Sequence, residues 1–114
     1  FSDIAFNGDL PILLTEDALR DLDDLYAFIA AQDGIELGDG VLERIHEKLT
    51  ALRELPERGE YPPELAALDV RQFRQTHYKP RRMVYRVGQD TVTVMLIADG
   101  RQDMQTLLQR RLLG

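Results

Sequence analysis

The sequence predicts an α+β fold: a helical hairpin packed on an antiparallel sheet of about four strands, with a short C-terminal helix. Three observations carry this expectation. Apolar residues recur at helical spacing twice between residues 15 and 55, the period falls towards two after residue 69, and a last helical pattern follows Asp99-Gly100. A helical layer and a sheet each have an apolar side to bury, so the two must cover one another. The chain has 114 residues, 44% of them hydrophobic and 30% charged, which fits one domain. Residues 1–9 are read as an N-terminal extension or cloning scar and residues 10–114 as that domain.

The run from Leu10 to Leu14 is broken by Pro11 and suits a short strand at or near a sheet edge. Thr15 is the expected N-cap of the first helix, with Glu16 and Asp17 where the helix dipole favours negative charge. Leu19, Leu22, Tyr26 and Ile29 form its stripe, widened by Leu25 and Phe28, and the helix should stop near Asp33-Gly34. Val41, Leu42, Ile45, Leu49, Leu52 and Leu55 mark a second helix, closed by Pro56 and Gly59; Gly38 and Gly40 weaken its first turn. Pro62 and Pro63 then place a surface loop with one helical turn at residues 64–68. Residues 70–78, 82–87 and 91–98 read as strands, turning at Lys79-Pro80 and at Gly88-Gln89-Asp90. Met104, Leu107, Leu108 and Leu112 give the closing helix.

Composition narrows the chemistry. There is no cysteine, and His46 and His77 are too few for a histidine-rich metal centre, so no metal and no cofactor are expected. The N-terminus lacks the order of a secretory signal and no apolar run is long enough to span a bilayer, so the expectation is a cytoplasmic protein without membrane contact. The net charge of -6 conceals a division: residues 1–69 hold 17 acidic and 5 basic side chains, residues 70–114 hold 3 and 9. Either the later half presents a basic surface to anions or acidic proteins, or the two halves pair internally.

Three segments carry a family likeness. They are Leu55-Pro56 with Gly59, the strand pair from Lys79 to Val87, and Ala98-Asp99-Gly100-Arg101 with Asp103-Met104. In that order and spacing the chain resembles the RelE/ParE superfamily, toxins of bacterial type II toxin-antitoxin systems that include plasmid stabilisation proteins. The resemblance spans residues 10–113. It implies a small α+β toxin that inhibits growth and is neutralised by a cognate antitoxin, with operator DNA reached only through that antitoxin.

The superfamily holds two activities. RelE-like members are ribosome-dependent mRNA endoribonucleases, whose arginines stabilise the phosphate while a tyrosine or histidine near the C-terminus moves a proton. Arg82 and Arg101 match the two arginines, but Leu107 stands where the resemblance places the tyrosine, and neither tyrosine nor histidine follows Tyr85. His77, Tyr78 or Lys79 are the substitutes a nuclease reading would need. ParE-like members are described as inhibitors of DNA gyrase that act by binding, which requires no proton carrier, and the acidic first half suits a ribosomal mRNA site poorly. The preferred expectation is thus a ParE-like, non-enzymatic toxin with Arg74, Lys79, Arg81, Arg82, Arg86 and Arg101 on its target-binding surface. The alternatives are the nuclease, and an inactive or regulatory module that binds its antitoxin only. Leu19, Leu22, Tyr26 and Ile29, most simply core, are also the candidates for antitoxin contact. Tyr85 is expected in the core with Met83 and Val87, and His46 is assigned no chemistry.

Overall fold

A computed structural model describes residues 11–113; the N-terminal extension expected at 1–9, and Leu10, lie outside the described residues. The order is β1 (Ile12–Leu14), α1 (Glu16–Asp33), α2 (Ile35–Ala51), a 3-10 turn (Pro56–Arg58), α3 (Pro63–Ala66), β2 (Arg74–Tyr78), β3 (Arg81–Val87), β4 (Val92–Asp99), α4 (Met104–Leu108) and a π-helical turn (Gln109–Leu113). The strands lie in the order β1-β4-β3-β2. The last three form an antiparallel meander, and β1 joins it at the edge, parallel to β4. The sheet is therefore mixed where an antiparallel one was expected. The meander reverses direction twice, so β4 runs as β2 does, and β1 lies beside β4 in the same direction. No helix among the described residues is long and apolar enough to cross a membrane.

Thr15 caps α1 as its sequence suggests, its Oγ1 accepting the Ala18 N–H at 3.0 Å. The junction to α2 is the single residue Gly34, at φ 101°. The second helix begins at Ile35, well before the apolar stripe that announces it in the sequence. Gly38 explains the discrepancy: it is buried against α1, and a Cβ there would lie 3.0 Å from Cε1 of Tyr26. What reads locally as a helix weakener is a point of close approach between the two helices.

The sheet buries both faces. On one, Ala18, Ile29, Ile45 and Leu49 of the hairpin pack on Met83, Tyr85, Val94 and Ile97. On the other, Leu65 of α3 and Met104 and Leu108 of α4 pack on Phe73, Val84, Leu96 and Ala98. The second face is therefore covered by the two short helices. Strand alternation sends Met83 and Tyr85 one way and Val84 the other. In β4 the register steps from Val84–Leu96 to Tyr85–Val94, which leaves Met95 as an extra residue.

Candidate functional site

The motif residues first build local structure. Tyr85 is fully buried, and its hydroxyl donates to the Pro56 carbonyl at 2.9 Å while accepting the Gly59 N–H at 3.1 Å. Burial pushes the phenol above its ordinary value. Gly59 leaves no room for a side chain, since a Cβ would fall 2.3 Å from the Tyr85 hydroxyl and 2.5 Å from the Gln75 carbonyl. The Pro56…Gly59 spacing is thus the footprint of one buried hydroxyl 26 residues or more downstream. Asp103 caps α4, accepting from the Thr106 N–H and hydroxyl at 3.2 and 2.8 Å, and these bonds lower its pKa.

The six basic residues expected on one target-binding surface separate into distinct places. Arg82 is internal, 8% exposed, its guanidinium turned under α3. Nη1 and Nη2 donate to the two carboxylate oxygens of Glu64, each at 2.8 Å, and Nε donates to Oε1 of Gln75 at 2.9 Å. This bidentate pair holds the Glu64 carboxyl below its usual range. An outward-facing Arg82 is accordingly corrected to an inward one: a helix 18 residues upstream brings a carboxylate over it. His77 lies opposite Arg82 across β2 and β3, whereas Tyr78 lies opposite Arg81 and packs on the hairpin core. Leu107 packs on the second core.

Arg81 and Arg101 converge. With Asp24, Phe28, Asp99 and Gln102 they line a groove of about 380 Å³ between α1 and the end of β4. Arg101 Nη2 donates to Asp99 Oδ2 at 2.6 Å, and its backbone N–H donates to Oδ1 at 2.9 Å. Together these hold the Asp99 carboxyl down at about 2. Phe28 is 64% exposed beside this pair. At the opposite end of the strands, Arg74 and Arg86 line a second cleft together with Arg71. Lys79 is exposed in the β2–β3 turn.

Of the residues considered for antitoxin contact, Ile29 is core and Leu19 is 49% exposed. Tyr26 is held across the hairpin by a hydrogen bond to Asp39, which raises its pKa. Leu22 lines an apolar groove with Leu14, Leu42, Ile45, His46 and Leu49, beside the edge strand β1. His46, given no role by its sequence context, is thereby placed on that groove. Asp21 had no signal in the sequence: its carboxylate accepts from the Ile97 N–H at 3.0 Å and from both Nη atoms of Arg111, 90 residues away. It ties α1 to β4 and to the C-terminal turn.

Residues 12–104 match the family described as the ParE toxin of the type II toxin-antitoxin system parDE. Among curated proteins none matches the chain significantly. Solved structures share the fold, among them two from toxin-antitoxin systems. One belongs to the chromosomal ParDE toxin-antitoxin system of P. aeruginosa, 20% identical, covering 82% of this chain and 98% of its own, with a TM-score of 0.67. The other is from the toxin-antitoxin complex RelBE2 of Mycobacterium tuberculosis, 19% identical, covering 83% and 95%, with a TM-score of 0.55.

Proposed function

Because the chain belongs to the ParE toxin family of type II toxin-antitoxin systems, we propose that it arrests growth by gripping a protein target, DNA gyrase, rather than by cutting RNA. The observation that carries this reading is the state of Arg82. A ribonuclease of this superfamily needs that guanidinium free to meet developing phosphate charge, and here its donors are taken by Glu64 and Gln75. A proton carrier is also lacking at Leu107. The groove of Arg81, Arg101 and Phe28 has the composition of a protein-binding centre, an exposed aromatic ring flanked by guanidinium groups. The cognate antitoxin takes the apolar groove at Leu22 with the exposed Leu19 next to it, the surface an amphipathic helix would cover.

A supercoiling assay with purified gyrase tests the target. Inhibition is expected, and Phe28→Ala and Arg101→Ala should each weaken it by about tenfold or more, the size of an interface anchor. Unaltered supercoiling at saturating toxin would remove gyrase as the target.

A further inference from the structure

The cleft at the far end of the strands fits none of these roles. It measures about 530 Å³ and opens between the loop before β2, the 3-10 turn and the β3–β4 turn. Arg71, Arg74 and Arg86 line it against the single carboxylate of Glu57, with Gly88 contributing backbone. The three arginines differ in how they are held. Arg74 is fixed in place: Nη1 donates to the carbonyls of Glu57 and Gly59 at 3.1 and 2.9 Å, Nη2 donates to the Tyr61 hydroxyl at 3.1 Å, and the guanidinium sits 4.5 Å from the Tyr61 ring centroid. Arg71 is paired to Asp69, whose side chain is 90% exposed. Arg86 is exposed on β3, and no carboxylate among the described residues pairs with it.

We propose that this cleft binds a small phosphorylated ligand of the nucleotide or pyrophosphate kind, independently of the toxin's protein target. Three guanidinium groups face one cavity in a protein whose net charge is -6, and with Glu57 and the Asp69 partner of Arg71 set against them one cation, Arg86, is left uncompensated. Donors arriving from several directions, the open fork of Arg86 with the Nε and the second Nη2 proton that Arg74 keeps after its bonds to Glu57, Gly59 and Tyr61, match a tetrahedral oxyanion, which offers acceptors all round, better than a planar carboxylate with two. Pre-fixing one of them, Arg74, lowers the entropy lost on binding. The cavity lies within the roughly 300–1,000 Å³ typical of small-molecule sites. An extended nucleic acid strand, by contrast, would reach beyond the cleft and meet a chain whose net charge is -6.

Calorimetric titration of the full chain with pyrophosphate, ADP, succinate and a ten-nucleotide single strand separates the possibilities. The proposal expects saturable one-to-one binding of pyrophosphate, competition by ADP, and affinity for succinate at least about tenfold weaker. Arg86→Ala should weaken pyrophosphate by about tenfold, and Arg71→Ala by less because Asp69 already holds that side chain. Arg101→Ala, at the other end of the sheet, should change it by less than about twofold. Unsaturable binding, equal losses in Arg86→Ala and Arg101→Ala, succinate binding as well as pyrophosphate, or the single strand outcompeting ADP would each overturn it. Failure here leaves the gyrase assay unaffected, since the cleft and the Phe28 groove share no residue.

Discussion

Arg82 and Arg86 leave the same strand towards the same side of the sheet, four residues apart, and meet opposite fates. Above Arg82 lies α3, whose Glu64 accepts from both Nη atoms of the guanidinium, and the residue is 8% exposed. Beside Arg86 the chain turns away and leaves a cleft. The two residues are equivalent in charge, strand and periodicity, so what separates them is a carboxylate delivered from elsewhere in the chain. A basic segment becomes a surface only where the fold brings no acid over it. The same contrast runs between the two faces of the sheet, one sealed by long amphipathic helices and the other by two short ones.

Removing the acid is the strongest way to break this comparison. Glu64→Gln strands a nearly buried guanidinium and should cost about 3 kcal/mol, the loss typical of halving a buried ion pair. For a domain of this size that lowers Tm by about 10 °C or more. A loss under about 0.5 kcal/mol would mean that Arg82 reaches water as easily as Arg86 does. Because Glu64 titrates below its ordinary 4.5 in the fold, the pair's contribution is present above that value and fades as pH falls through the lowered one. Wild-type stability should therefore drop on acidification more steeply than that of Glu64→Gln, as followed by denaturation at pH 7 and at progressively lower pH.

Tyr85→Phe comes next. It leaves the Pro56 carbonyl and Gly59 N–H without their shared partner and should cost about 2 kcal/mol in urea denaturation. Arg86→Ala should change stability by no more than about 0.5 kcal/mol, because nothing packs over the side chain. The smallest effect belongs to Arg101→Ala. Its readout is the carboxyl titration of Asp99 by NMR, which should move from about 2 towards the ordinary 3.8. The depressed value means that the contact favours the fold above about pH 4 and loses that effect as pH falls through about 2. An unmoved midpoint would show that Asp99 is held down by something other than the Arg101 guanidinium, such as the backbone N–H that the substitution leaves in place.

The elements most legible in the sequence are those whose information is local. The α1 stripe, the Thr15 cap and the β3–β4 hairpin follow from spacing and turn chemistry within a few residues of each other. The start of α2 was hidden because Gly38 reports a contact with Tyr26 rather than a propensity. The parallel placement of β1 was hidden because three residues carry too little pattern to choose a neighbour. At the site, the basic residues could be named but not sorted. Pro-Pro-Glu-Leu reads as a turn, and nothing in it announces that Glu64 will close on a strand arginine. Nor does spacing show that Phe28, on the rim of the stripe, ends up outside with Arg81 and Arg101.

The central claim, a toxin that acts by contact while its strand arginine serves the fold, meets its most direct test in primer extension on cellular mRNA after induced expression of the chain. Growth should stop with transcript 5′ ends unchanged. New, site-specific cuts that appear before growth slows and disappear in Arg82→Ala would contradict the account, because they would require that guanidinium to leave Glu64 and meet a phosphate.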